Sequence, residues 1–406
     1  MDIDVRVSPQ EDHRRWFEVC NTAFSGELRE EEVEVDLQIV PHDRLLGAYA
    51  DGALVGTAAD FPFPLTIPGG ELLAAGVTGV GVLPSHRRRG VLTRMMERQL
   101  ADARSRDEPL AILWASEAGI YGRYGYGVAT RVAGVDADRD RMTFTAPPDP
   151  AVTVRLIDEE EAGRAFPPIY DRVRRETPGM IGRTEDWWKH YRLADPEWRR
   201  RGAGPKFHAL LELDGAAEGY ASYRVKQDWD EGFARSELRV IEPMATSARA
   251  HRELWRFLFG IDLVGRVQAW PLPPDHPLFL LAVEPKRLRM KVGDGLWLRI
   301  LDLERALSAR SYAAEGELTF ELVDPLVPEN EGVWRLEATE TGAAVEPGAD
   351  AELRLDAGAL ASAYLGGFSF AELQGAERLD ELAPGAVARA DALFRTPRAP
   401  WCAEVF

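Results

Sequence analysis

The sequence of 406 residues predicts an α+β fold of two tandem mixed-sheet domains followed by a smaller α+β domain. Three observations predict it. Apolar runs, turn signals and amphipathic stretches give the order β–α–β–β–β–loop–α–β–α before a proline-rich linker, TAPPDPA at 145–151. After the linker the same grammar returns, as a degenerate internal duplication. A third stretch then carries its own strands and helices, and the length exceeds one ordinary domain. The borders read from these signals give segments 1–150, 151–294 and 295–406.

Taken in order, VRVSPQEDHRRWFEVCNTAF is a strand and then a helix opened by Ser8 or Pro9. Trp16, Phe17, Val19, Cys20 and Phe24 supply its apolar face. Asp51-Gly52 and Pro68-Gly69-Gly70 mark turns between antiparallel strands, the last of which is Ala75–Leu83. Leu92, Met95, Met96 and Leu100 then recur at helical spacing. PLAILWAS is a buried strand, and EAGIYGRYGYG is a turn into a short helix. In the second segment VTVRLI and its following helix, two strands around Asp214-Gly215, and a strand–helix–strand ending in VGRVQAW repeat the pattern. The third opens with LWLRILDL as a strand and LERALSARSY as a helix. ELTFELVDPL and GVWRLEATETGAAVEP follow as strands, and AELRLDAGALASAYLGGFSFAELQGAERL as a strand and a helical pair.

Acidic residues outnumber basic ones, 67 to 49, for a net charge of −18. Such a field disfavours nucleic acid as a partner and draws cationic small molecules. Cys20 and Cys402 sit at opposite ends of the chain and the seven histidines show no ligand spacing, so neither a disulfide framework nor a bound metal is expected. The N-terminus lacks the apolar core of a signal peptide, and no apolar run reaches the roughly 18 residues of a membrane span. The cytoplasm is the expected location.

The informative stretch is AAGVTGVGVLPSHRRRGVLTRMMERQL. A strand of small residues enters a basic turn closed by Gly90, and an amphipathic helix follows. The first turn of a helix offers unpaired N–H groups and the positive end of its dipole. Gly90 permits close backbone approach, and Arg87, Arg88 and Arg89 add charge, so the loop suits a pyrophosphate. Neither GxxxxGK[ST] nor GxGxxG is present. Gly79 and Gly81 leave room for an extended ligand arm to pair with the strand.

VGVLPSHRRRGVL resembles motif A of the GNAT acetyltransferases, roughly Q/R-x-x-G-x-G/A, with Leu92 in place of the small final residue. ASEAGIYGRYGYG, SELRVIEPM, DGLWLRILDLERAL, AYLGGF and the final Phe406 resemble the Eis (enhanced intracellular survival) acetyltransferases over nearly the whole chain. The resemblance implies two GNAT domains, of which only the first binds acetyl-CoA, a sterol-carrier-protein-like third domain, and a homo-hexamer. It implies a CoA site at Val80, Gly81 and Val82 on the strand, Arg88, Arg89, Gly90, Val91, Leu92 and Thr93 around the loop, and Ser116 and Glu117 on the next strand end.

Acyl transfer to an amine needs a polarised carbonyl, a neutral amine and a proton for the leaving thiolate. From the residues alone Tyr121, Tyr124 and Tyr126 are equal candidates for the proton donor; the resemblance implies Tyr121. It implies the α-carboxylate of Phe406 as proton acceptor for the amine, with Glu404 adding negative potential. Two departures touch the acceptor side. Trp114 stands where the family pattern has a histidine, and AFSGELREEE lacks the family's aspartate, with Glu27 nearby. The implied reaction is acetyl-CoA-dependent N-acetylation, at several sites, of aminoglycosides or similar polycationic amines. A lysine or peptide acetyltransferase, a lipid carrier acting through the third domain, and an assembly scaffold with a vestigial CoA site are the alternatives.

Overall fold

A computed structural model of the chain describes residues 2–339 and 342–406. It divides into two compact units: Met1–Thr130 with Gly295–Pro400 and Glu404–Phe406, and Arg131–Asp294 with Trp401–Ala403.

The first unit begins with β1 (Ile3–Val7), α1 (His13–Ala23), α2 (Glu30–Ile39), β2 (Leu46–Ala50), β3 (Ala53–Ile67), β4 (Gly70–Val82), α3 (Val91–Ser105), β5 (Leu110–Trp114), α4 (Ala118–Tyr121) and β6 (Gly127–Val128). A 3₁₀ turn at Gln10–Asp12 precedes α1, so the helix starts at His13 and not at Ser8 or Pro9. Trp16, Phe17 and Val19 are buried as expected, but Phe24 lies past the helix end and is 51% exposed. Helix α2 escapes the periodicity test because only Val33 of EEEVEVDLQI is buried. Asp51 and Gly52, at φ 49° and 83°, form the left-handed pair that a tight β2–β3 hairpin requires.

What positions the site is a divergence in this sheet. Strand β4 pairs in parallel with β5 only from Ala74↔Leu110 to Val77↔Leu113, yet runs on to Val82 against β3. Its edge toward β5 is therefore open from Thr78 onward. A bulge falls there: Thr78 faces Ala59, and the next pair is Gly81 with Thr57. Gly79 takes φ 58°, and a Cβ on it would stand 2.7 Å from the Trp16 ring. The Thr57 hydroxyl donates to the Gly79 carbonyl at 2.8 Å, fixing the kink.

The second unit holds β7 (Arg131–Asp138), β8 (Val152–Ile157), α5 (Glu159–Arg175), β9 (Phe207–Leu213), β10 (Ala216–Lys226), a hairpin of β11 (Trp229–Asp230) and β12 (Phe233–Ala234), β13 (Ser236–Ala245), α6 (Ala248–Gly260), β14 (Val264–Leu272), α7 (Leu278–Leu281) and β15 (Lys291–Asp294). Its main sheet has the order β15-β7-β14-β13-β10-β9-β8. Asp158 and Ser247 cap α5 and α6 by accepting from the N–H three residues on. Leu254, Trp255 and Leu258 of α6 pack on Leu211, Leu238 and Val267.

In this unit the ring of buried His276 lies 4.6 Å from that of half-buried His251. Burial pushes protonation of His251 down to about 4, and burial followed by the neighbouring His251 holds His276 well below the ordinary imidazole range. An unfolded imidazole takes its proton near pH 6.5, so stability is full above that pH and is lost as pH falls from about 6.5 toward about 4. For His251 alone the loss amounts to about 3 kcal/mol. Thermal melts across this window are expected to fall in the native protein and to flatten in His251→Leu; parallel slopes would contradict the assignment.

The chain then continues with β16 (Leu296–Ile300), α8 (Leu303–Ala309), β17 (Gly316–Val323), β18 (Gly332–Thr339), β19 (Gly342–Pro347), β20 (Leu353–Asp356), α9 (Ala357–Tyr364), α10 (Phe370–Gly375), β21 (Leu379–Glu381) and α11 (Ala386–Phe394). A sheet of order β19-β18-β17-β20-β21 carries these helices. Arg310, fully buried, donates to the carbonyls of Tyr364 at 2.8 Å and Phe394 at 2.5 Å, the last residues of α9 and α11. A cation there satisfies carbonyls that a helix end leaves open.

Strand β16 does not join that last sheet. It lies antiparallel between β5 and β6, giving a first sheet of order β1-β2-β3-β4-β5-β16-β6. In the other large sheet the matching place beside β14 is taken by β7, which precedes the linker. The compact units therefore differ from the three segments read in the sequence. The first border falls at Thr130–Arg131, not in the linker near residue 150, and the third segment, apart from Trp401–Ala403, belongs to the first unit. Periodicity identifies a strand but does not name its partner.

Candidate active site

The open edge of β4, the basic turn and the short helix α4 enclose a cleft of about 880 Å³ in the first unit. Val80, Gly81 and Val82 form one wall. Arg88, Gly90, Val91, Leu92 and Thr93 form the turn and the start of α3. Ser116, Glu117 and Tyr121 form the opposite side. Eleven of the residues the resemblance implies for the site, together with Arg87 and Tyr124, thus meet in one cavity, because β4 and β5 separate after Val77 and α3 starts at the gap.

The turn is built to present backbone amides. Arg88 at φ 61° and Gly90 at φ 80° are left-handed, and Gly90 is the residue before the first turn of α3. No side chain caps that helix end, so its leading N–H groups are left to a ligand. Arg87 has a different task from the one its charge suggests. Its guanidinium donates to Val82 O at 3.2 Å and to Ala23 O at 3.0 Å, tying the end of β4 to the end of α1.

Tyr121 is 6% exposed yet lines the cleft. Burial, then the negative charge of Glu117 and the neighbouring Tyr124, pushes its hydroxyl up to about 12, so it stays protonated throughout the neutral range. The Tyr124 hydroxyl, also at the cleft, lies 3.2 Å from Thr93 Oγ1. Tyr126 is buried and does not line it. Of the three tyrosines that the sequence left equal, the structure therefore sets Tyr126 apart from Tyr121 and Tyr124.

Five residues stand apart from this cavity. Arg89 is exposed on the turn, and Glu27 is exposed between α1 and α2. Trp114 is half-buried at the end of β5, opposite Leu296. Glu404 is fully buried. Phe406 sets its ring 5.0 Å from that of Phe63 and over Gly76, where a Cβ would come within 3.3 Å of it. Conversely, Ala23, Phe24, Ser25, His86, Ile120 and Arg123 line the cleft without having been singled out as site residues. Phe24 reads in the sequence as part of the apolar face of α1, which conceals its place at the cleft.

The corresponding strand of the second unit has different surroundings. Strand β13 parts from β14 after Val240↔Ala269, but Glu242 then accepts from Arg183 at 2.5 Å, Arg192 at 2.8 Å and the Tyr220 hydroxyl at 2.7 Å. Its helix α6 is closed by the Ser247 cap. Of these two strand–helix junctions among the described residues, the one in the first unit joins an open strand edge to an uncapped helix start.

Family models match three stretches of the chain. Residues 4–129 and 179–300 each match an acetyltransferase (GNAT) domain, and 303–403 match a sterol carrier protein domain. N-acetyltransferase Eis of Mycobacterium tuberculosis (strain ATCC 25177 / H37Ra) is 36% identical over 97% of this chain and 97% of its own. The chain belongs to the Eis family of GNAT N-acetyltransferases. An uncharacterized N-acetyltransferase of Streptomyces avermitilis is 39% identical over the full length of both chains. The crystal structure of Eis1 from Mycobacterium abscessus superposes with a TM-score of 0.85 at 32% identity, covering 99% of this chain and all of the other. As an Eis-family protein the chain is an N-acetyltransferase. Among the described residues no helix is long and apolar enough to cross a membrane.

Proposed function

We propose that the protein transfers the acetyl group of acetyl-CoA to amines of polycationic small molecules, aminoglycosides among them, at more than one position. The observation that carries this reading is the single cleft joining an open strand edge, an uncapped helix start behind a glycine turn, and a protonated tyrosine. Its shape fits acetyl-CoA: a pantetheine arm pairs with the edge of β4 as an added strand, and a pyrophosphate meets the amides from Arg88 to Thr93. When bound, acetyl-CoA supplies the thioester that is attacked.

The chain's own groups then divide the work. Amides of Val80–Val82 orient and polarise a carbonyl laid along them. Tyr121 donates toward the sulfur as charge develops there. Phe406 is held by Phe63 and Gly76, and in a chain that ends at this residue its α-carboxylate is the group we assign to accept the amine proton. A net charge of −18 favours a multiply charged cation as acceptor. Trp114, Glu27 and Glu404 are assigned to the acceptor side, and Arg89 to the outer phosphates. We also assign the protein to the cytoplasm and, as the resemblance implies, to a homo-hexamer.

The test is to incubate the protein with acetyl-CoA and, separately, aminoglycosides, linear polyamines and lysine peptides, and to weigh the products. Successive acetyl increments on aminoglycosides are expected. Acetylation of peptides alone would replace this acceptor class by another.

A further inference from the structure

The turn that follows Tyr121 rests on a buried ion pair outside the cleft. Gly125 closes this turn at φ 76°, and a Cβ on it would stand 2.7 Å from Arg299 Nε and 2.8 Å from Arg299 Cζ. The backbone thus lies directly on the guanidinium. Arg299, on β16, is fully buried; it donates to Asp324 Oδ1 at 2.5 Å and to Ile300 O at 3.1 Å. Asp324 is itself fixed, accepting from Val327 N at 3.2 Å and from Asn330 Nδ2 at 3.3 Å. The arginine cannot swing away without stranding a buried carboxylate.

The contact reaches Tyr121 through one residue. Val128 and Gly127 pair with Trp297 and Leu298, so Tyr126 is the next residue in register with Arg299. Tyr126 is 1% exposed, and its hydroxyl has no hydrogen-bond partner among the described residues. It is held by its ring, which meets the Tyr121 ring edge to face at 6.0 Å and 73°. The far end of the turn is pinned as well: a Cβ on Gly127 would fall 1.9 Å from the Gly358 carbonyl oxygen of α9. Both ends of the tyrosine turn therefore lie on elements that follow residue 295.

We propose that Arg299, locked by Asp324, is a positioning residue for the reaction: it is the floor of the Gly125–Tyr126 turn and, through the Tyr126 ring, sets where the Tyr121 hydroxyl points. This rests on the reading of Tyr121 as proton donor. It also gives the sterol-carrier-like segment a role in the chemistry of the first domain, since that segment supplies Asp324 and Gly358.

The test is a double-mutant cycle on the full chain with Gly125→Ala, Arg299→Lys and Tyr121→Phe, reading kcat, the KM for acetyl-CoA, and acetyl-CoA affinity by calorimetry. Gly125→Ala keeps both ion-pair partners and pushes a methyl group against the guanidinium; Arg299→Lys keeps the charge and removes the planar floor. Each is expected to lower kcat about 10-fold or more with acetyl-CoA affinity within about twofold, as displacement of a donor by an ångström would. In the Tyr121→Phe background each is expected to cost little more, because the group they position is gone. Equal losses in both backgrounds would show a general structural role and overturn the proposal. Native kcat in both variants beside a strongly impaired Tyr121→Phe would overturn the positioning role alone. Native kcat in Tyr121→Phe would remove the donor assignment and the proposal with it.

Discussion

Replacing Tyr121 with phenylalanine is expected to lower kcat about 100-fold or more while acetyl-CoA still binds. The ring keeps its place with Leu113, Tyr126 and Trp297 in the apolar cluster beneath the cleft, so the loss isolates the hydroxyl. Its upward shift decides how it acts. A phenol pushed up to about 12 is protonated at any working pH, but it is a weaker acid than an ordinary thiol near 8.5. The donor therefore works while the carbon–sulfur bond is breaking and negative charge is accumulating on sulfur. No fall in rate from loss of this proton is expected below about pH 10. The rise on the acidic side instead follows neutralisation of the acceptor amine. Steady-state kcat with calorimetric affinity for acetyl-CoA checks this. A phenylalanine variant with native kcat would move the role to another group, and Tyr124, already 3.2 Å from Thr93 Oγ1 at the cleft, would be the first to examine.

Gly90→Val is expected to weaken acetyl-CoA binding about 10-fold or more with a modest loss of stability. A Cβ at this position meets nothing within 4 Å, so crowding is not the penalty. The penalty is conformational: φ of 80° costs a β-branched residue on the order of 1–3 kcal/mol. Relief comes by rotating the peptide that presents the first amides of α3, the groups assigned to the pyrophosphate. Affinity should fall while the melting temperature drops by roughly 2–12 °C, at about 2–4 °C per kcal/mol for a domain of this size. Unchanged affinity would place the phosphates elsewhere.

The sequence made much of this legible where local chemistry is decisive. Asp51-Gly52 and Asp214-Gly215 announced hairpins because few residues tolerate the left-handed backbone seen there. The arginine–glycine turn announced an anion site because an uncapped helix start needs partners. Non-local facts were not legible. Strands β7 and β16 read as strands only by pattern or not at all, and nothing local says that β16 belongs beside β5. Helix α2 has a single buried residue, so it carries no apolar stripe to detect. At the site, charge alone made the three arginines look alike. Geometry separates them: Arg87 lines the cleft while tying α1 to β4, Arg88 lines it from the turn, and Arg89 lies outside it. Arg299 and Gly125 are far apart in sequence, and their contact emerges only in three dimensions.

The most direct measurement is a crystal structure of the protein with CoA bound. Pantetheine is expected along the edge of β4 at Val80–Val82, pyrophosphate on the amides from Arg88 to Thr93, and the sulfur within about 3.5 Å of the Tyr121 hydroxyl. CoA bound elsewhere in the molecule, or a sulfur that faces away from Tyr121 with the pyrophosphate in place, would contradict this arrangement.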